Sequence, residues 1–392
     1  MALCAVAPAV LSPFPASADQ RSHFVIPAVG TSKTDGVDVG LIVPYVFADD
    51  EERVTQIIAP MYLHNEFAGS RAAINVYQYP KRGEEYKLIA SYTEKTERRF
   101  VYDYRNLFLQ GGRFSLETSV GFFKNGTARF FGIGNQTSPT QETNYTDREL
   151  LGHITAGLYI GPGQRVLWTE RIRNVEIQTG VVQHLPFTQS VFPAIKGTGG
   201  GTVWGHRLAY LNDTRDDTVT PTIGHYFSMF AELAQTLTTS TNTIFSRYGI
   251  EYRRLIPNAT KQYTFVFRGR LEATVGGEAV PFFERSSLGG ENTLRAFGVG
   301  RFVDNHSLVF NFEERIQLFH LRIFGTVAEI ETAPFLDVGK VANTFRYRAF
   351  SQYQANPGIG FRAIARPNVV GRVDVASGNE GRAVFAGLDF PF

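Results

Sequence analysis

The residues with most scope for chemistry lie in 284–341, where a Gly-rich loop is followed by two long strands of alternating polarity. Leu294-Arg295-Ala296-Phe297 sits at the heart of the loop. The first strand carries Leu308, Phe310, Phe312, Ile316 and Leu318 on one face and Asn311, Glu313, Arg315 and Gln317 on the other. The second carries Leu336 and Val338 on one face and Glu329, Glu331 and Asp337 on the other. Arg295 could reach into the charged side, and a guanidinium fork suits bidentate pairing with a carboxylate. This is ion-pair chemistry, not hydrolysis. No G-x-S-x-G elbow, H-E-x-x-H or P-loop occurs, and the eight His are scattered. Asp213, Asp216 and Asp217 could hold a cation, but a polar turn is the simpler reading. Gly197-Thr198-Gly199-Gly200-Gly201 has no helix after it and reads as a flexible loop, not a phosphate cradle. No enzyme activity, catalytic residue, metal site or cofactor is expected.

Two environments produce strands with one greasy and one charged face. In a soluble antiparallel sheet the greasy face meets a core. In a transmembrane barrel it meets lipid, and the polar face lines the lumen. The chain has 392 residues and a net charge of +2, so no strong field directs it to nucleic acid. Its single Cys, Cys4, lies in residues 1–18, which read as a signal peptide ending in Ala16-Ser17-Ala18, although a basic start is missing. No apolar stretch of about 18 residues occurs. A membrane role must therefore come from strands.

Segments of about ten residues alternating with period 2 recur along the chain, separated by turn residues. They read as strands near 37–47, 53–65, 70–79, 86–106, 113–123, 148–160, 165–179, 203–213, 222–234, 242–255, 261–275, 305–319, 323–341, 356–366, 369–376 and 383–392. That is sixteen. Residues 86–106 could instead be a hairpin turning at Glu94-Lys95-Thr96-Glu97, but single-chain bacterial barrels have an even strand number, which favours one long strand. Residues 19–36 are left as a short periplasmic segment, with the barrel at 37–392. Turns such as Gly161–Gln164 and Ile256–Thr260 are short, whereas 124–147, 180–202, 276–304 and 342–355 are long. Short turns on one side and long loops on the other are the barrel arrangement. The last strand alternates to a terminal aromatic, with Phe390 and Phe392 on the greasy parity.

Several stretches resemble the BamA/TamA-type bacterial surface-antigen barrels. Asp213-Thr214-Arg215-Asp216 with Pro221-Thr222-Ile223-Gly224 resembles the family's D-x-R-D…P-x-x-G periplasmic turn. Leu294-Arg295-Ala296-Phe297 is similar to the V-R-G-F/Y tip of the sixth extracellular loop, with Ala296 in place of Gly. Phe335-Leu336-Asp337-Val338-Gly339 resembles F-x-D-x-G, and Asn311-Phe312-Glu313-Glu314-Arg315 resembles N-x-E-x-R. Arg129-Phe130-Phe131-Gly132-Ile133-Gly134-Asn135 looks like the F-F-G-I-G-N loop of short members.

The resemblance implies an all-β, sixteen-stranded antiparallel barrel in the bacterial outer membrane. Its sixth extracellular loop would be folded into the lumen, and POTRA domains would be absent. It implies that Arg295 pairs with Asp337, with Glu313 as second partner, either as a functional latch or as a plain structural tether. Phe390 and Phe392 would be the assembly signal read by the barrel assembly machinery through the C-terminal strand. The other implied partners are outer-membrane lipid and a periplasmic or secreted client. The implied function is outer-membrane assembly or transport of protein or lipid. A passive channel or structural barrel is the alternative, and an outer-membrane lipase comes third.

Overall fold

Period-2 alternation gives each strand two faces of opposite polarity but leaves its backbone N–H and C=O groups needing neighbours. The computed structural model shows how these needs are met. It describes residues 20–392 apart from 24, 35, 52, 238–241, 324–325, 345–351, 366–368 and 388–389. The expected signal segment, 1–18, lies outside the described residues.

The strands join as successive antiparallel hairpins into one sheet that closes on itself. β1 comprises Gln20–His23 and Ile26–Ser32, and β2 comprises Gly36–Ile42 and Tyr45–Ala48. Their register is continuous, with His23 opposite Tyr45 and Ile26 opposite Ile42, so each pair of segments is one strand with a break. Then come β3 (Val54–Asn65), β4 (Gly69–Lys81), β5 (Glu84–Thr93), β6 (Arg98–Leu109), β7 (Phe114–Phe130) and β8 (Thr143–Gly161). They are followed by β9 (Gln164–Thr179), β10 (Gly201–Asp213), β11 (Gly224–Thr236), β12 (Ile244–Pro257) and β13 (Tyr263–Val275). After the long loop come β14 (His306–Ile323), β15 (Thr326–Ala342), β16 (Gln354–Ala365), β17 (Val369–Gly378) and β18 (Gly381–Gly387).

The barrel thus has eighteen strands among the described residues, not sixteen. Two expectations fail together. Residues 19–36 are not a free periplasmic segment, because β1 pairs along β2. Residues 86–106 are a hairpin, closed by Thr93 N–H to Glu97 O at 3.0 Å and Glu97 N–H to Thr93 Oγ1 at 2.7 Å. Each error shifts the count by one. With β1 unread, splitting 86–106 gave an odd total, which the even-strand rule counted against. With both corrections the total is even again. The turn after β3 therefore moves to the long-loop side. The loop between β13 and β14 becomes the seventh on that side, not the sixth.

The faces are those of a membrane barrel. Ile154, Trp168, Ile172, Leu208, Leu233 and Ile250 point outward and are about half exposed. Toward the short-turn end, aromatic rings link across the outer surface: Tyr210 to Phe227 at 6.2 Å, Tyr252 to Phe267 at 6.5 Å and Phe267 to Phe312 at 5.4 Å between centroids. Such a belt marks a lipid–water boundary. Inward-facing Arg268, Arg315, Glu331, Arg362 and Asp374 are buried instead. The apolar core inside the barrel is built where the loop meets the wall, with Leu288, Leu294, Phe297 and Phe302 against Val309, Phe335 and Ala376.

Closure is uneven. β15 and β16 pair continuously from Glu329 opposite Ile364 to Gly339 opposite Gln354. Between β18 and β1, one register pair, Thr31 opposite Ala386, joins the first strand to the last among the described residues. Among the described residues, the strand ladder of β18 runs from Gly381 to Gly387.

Candidate functional site

The loop tip is a compact knot. Gly290 N–H donates to Phe297 O at 2.9 Å, and Phe297 N–H to Leu294 O at 3.0 Å. Gly289 lies at φ +118°, and a Cβ there would sit 2.2 Å from Gly298 O, so only glycine lets the two arms of the knot approach. The knot carries Arg295 to the inner wall, where it is buried.

There Arg295 meets the expected partners. Its Nε and Nη2 donate to the two oxygens of Asp337 at 2.9 Å each, and its backbone N–H donates to Asp337 Oδ2 at 3.1 Å. Nη1 donates to Glu313 Oε2 at 2.9 Å and lies 3.8 Å from Asp374 Oδ1. The guanidinium stacks on the Phe335 ring at 3.3 Å. Asn311 Nδ2 bridges Asp337 Oδ1 and the Thr293 carbonyl, each at 2.8 Å. Arg315 and Arg362 then share Glu313, and Arg362 and Arg372 share Asp374. A carboxylate removed from water is tolerable only when paired and hydrogen-bonded. Here every charge has an opposite neighbour.

Ala296 departs from the resembled motif without strain, because its φ is not positive. Its Cβ instead faces Gly378 on β17, where an added Cβ would lie 2.9 Å from it. The methyl gained in the loop is matched by one missing from the wall. Leu294 and Phe297 fill the core beside it.

The motif between β10 and β11 builds a turn. Arg215 forks onto Asp213 at 2.8 and 2.9 Å. Asp216 accepts Thr222 N–H at 2.9 Å and Ile223 N–H at 3.1 Å, and Asp217 accepts Thr220 N–H at 2.6 Å. Gly224 lies at φ +111°, and a Cβ there would strike Thr214 O at 2.4 Å. Pro221 O accepts from Arg315 Nη1 at 3.4 Å, so this turn closes the Arg295 network from the short-turn side.

Phe390 and Phe392 are placed differently from expectation. They were expected to face lipid on the last strand. Phe390 lies instead under the Arg315 guanidinium at 3.7 Å, and Phe392 lies 5.7 Å from those of Arg268 and Arg295. Cation–π attraction holds them there.

Sequence reasoning missed a second docking point of the same loop. Glu284, also fully buried, receives Arg171 Nη2 at 2.6 Å and Arg171 Nη1 at 3.2 Å, with Arg173 at 3.3 Å and Arg247 at 3.5 Å. Arg171 also holds Glu232 of β11 at 2.6 Å. Parity on β9 could have revealed it, since Arg171, Arg173 and Val175 alternate with outward Trp168, Glu170 and Ile172.

The sequence model of the Omp85 superfamily domain matches residues 79–364, well over half of the chain. Among solved structures, BamA from Haemophilus ducreyi lacking POTRA domains 1-3 is similar at TM-score 0.58 and 16% identity, covering 93% of this chain and 75% of that one. CdiB from Acinetobacter baumannii is similar at TM-score 0.52 and 8% identity, covering 94% of this chain and 59% of that one. A search of the curated proteins found no match.

Proposed function

Since the chain belongs to the Omp85 superfamily and is a bacterial outer-membrane barrel, we propose that it moves polypeptide or lipid into or across that membrane by opening between β1 and β18. The observation that carries this reading is the closure through one register pair, Thr31–Ala386, among the described residues, in a sheet whose neighbouring strands elsewhere pair over many residues. A strand edge held by so few hydrogen bonds is the cheapest place for a barrel to open, and an opened edge is a template for another strand. The Arg295 network acts as a latch that keeps the loop docked while the seam works. A passive selective pore fits less well. Such a pore calls for a ring of one sign, and this lumen mixes Arg and Glu and is filled by the loop. The terminal aromatics serve as an assembly signal that is read before the tail folds inward.

The test is a disulfide across the seam. In a chain with Cys4→Ser, Thr31→Cys and Ala386→Cys would face each other as directly opposed strand residues, a geometry that suits a disulfide. Under oxidising conditions the cross-linked barrel is expected to assemble yet fail to support growth or export, with recovery on reduction. Full function of the oxidised protein would remove the seam from the account.

A further inference from the structure

The pocket that holds Glu284 is more than a tether. Three consecutive loop residues enter it. Phe282 is buried against Phe130 at 4.8 Å and Tyr145 at 5.7 Å between ring centroids, and its N–H donates to Lys196 O at 2.9 Å. Phe283 lies under the Arg173 guanidinium at 5.4 Å, and its carbonyl accepts from Arg173 Nη1 at 2.6 Å. Glu284 then ends on Arg171, Arg173 and Arg247. The pocket thus has an aromatic compartment, backbone-directed hydrogen bonds and a guanidinium cluster, presented in that order to a single turn of 3-10 helix over Phe282–Glu284.

The charges of the wall are not balanced without the loop. Among the described residues, Arg171, Arg173, Arg207 and Arg247 are ion-paired on the wall with Glu232 and Glu149 once Glu284 is withdrawn. Four guanidinium groups then face the ion-paired Glu232 and Glu149 with Asp147 beside Arg173, which leaves an excess of positive charge in a partly buried site, where an anion is favoured. We propose that this wall is a binding site for a short peptide turn in which aromatic residues precede a carboxylate, and that Phe282-Phe283-Glu284 occupies it as a built-in ligand. This deepens the polypeptide reading of function given above and rests on it. An incoming segment of the same chemistry competes with the loop, so its binding and release of the loop's first half are reciprocally coupled.

The experiment uses the purified full chain in detergent micelles with Cys4→Ser and Ser286→Cys. Ser286 is buried two residues beyond Glu284, and its thiol substitute becomes reachable by a charged maleimide only when this part of the loop lifts. The probe is the octapeptide Pro-Phe-Phe-Glu-Arg-Ser-Ser-Leu, a copy of residues 281–288. At saturation it is expected to raise the labelling rate by about tenfold, the effect of roughly 1.4 kcal/mol of competition. The same peptide with Gln for Glu should raise it little. Glu284→Gln should raise basal labelling and lower the peptide concentration needed, and Arg171→Gln should abolish the peptide's effect. Folding of each variant is checked by the shift between unboiled and boiled gels. An unchanged labelling rate with peptide on a folded Glu284→Gln barrel overturns the proposal. An equal rise from sodium phosphate at the same concentration also overturns it, because the site would then recognise a bare anion. Neither readout depends on transport, so the seam test can fail while this one succeeds, and the reverse.

Discussion

At one end of the loop a guanidinium enters a group of carboxylates; at the other a carboxylate enters a group of guanidiniums. Arg295 docks on Asp337, Glu313 and Asp374 of β14, β15 and β17, and Glu284 docks on Arg171, Arg173 and Arg247 of β9 and β12. The reversal of sign orients the loop, since exchanging the two ends would set like charges together. The clamps differ in how far water is excluded. The Arg295 cluster is 0–1% exposed on both sides, whereas Arg171, Arg173 and Arg247 retain 10%, 22% and 20% of their side-chain surface. The first clamp should therefore be the stronger structural element and the second the easier one to exchange.

The largest expected effect tests that ranking directly. Arg295→Ala leaves Asp337, Glu313 and Asp374 without their shared cation in a dry site, a loss of about 3–5 kcal/mol for a buried pair broken on one side. It should appear as a lower temperature for the unboiled-to-boiled gel transition and as protease sensitivity of the loop. Adding Asp337→Ala should cost little more, because the charge left behind is also removed. Strictly additive losses would mean that the two residues do not act as a pair.

Glu284→Ala should cost less, about 1–3 kcal/mol, because water already reaches the arginines and Glu232 and Glu149 remain to pair with them. Losses equal to those of Arg295→Ala, in the same assay, would erase the distinction drawn from exposure.

A smaller effect should be confined to one clamp. Gly378→Ala places a Cβ 2.9 Å from both Ala296 Cβ and Asn356 Nδ2. Overpacking of this kind costs roughly 1–3 kcal/mol. Protease cuts near Arg295 should accelerate while labelling at Ser286→Cys stays unchanged, and Ala296→Gly should partly restore the double variant. Faster labelling at position 286 would show that the two ends move as one.

The smallest effect concerns the turn beneath the Arg295 end. Burial raises the Asp216 carboxyl, but the Thr222 hydroxyl and the Thr222 and Ile223 N–H groups outweigh it and hold the pKa below 3.8. A depressed carboxylate stabilises the fold above its unfolded pKa, and that contribution is lost as pH falls through the folded value. Below about pH 4 the melting temperature should therefore fall, and Asp216→Asn should flatten this acid limb without altering behaviour at neutral pH. An identical acid limb in the variant would assign it to other carboxylates.

Much of this protein is legible one strand at a time. Side-chain parity depends on the pleat of a single strand, so Glu313 and Asp337 could be placed on the polar face, and Leu336 and Val338 on the greasy one, before any pairing was known. The alternation of turn lengths gave the membrane barrel, and the resemblance of Leu294–Phe297 and Phe335–Gly339 to known motifs gave the first clamp. The strand count depends on pairing. Ile26–Ser32 contains Pro27 and Gly30, residues that weaken a strand signal, and it is β2 alongside that makes it a strand. Whether Glu94–Glu97 turns or runs straight is decided by Ser70 O, which accepts Glu94 N–H at 2.8 Å from a neighbouring hairpin. Glu284 and Arg171 are 113 residues apart and share no local pattern. Phe390 and Phe392 hold the outward parity of the last strand in sequence but lie outside any strand in the structure, so the arginines of the closed lumen, not the alternation, determine where they rest. Periodicity is a property of neighbours in sequence, whereas burial inside a barrel exists only after its first and last strands have met.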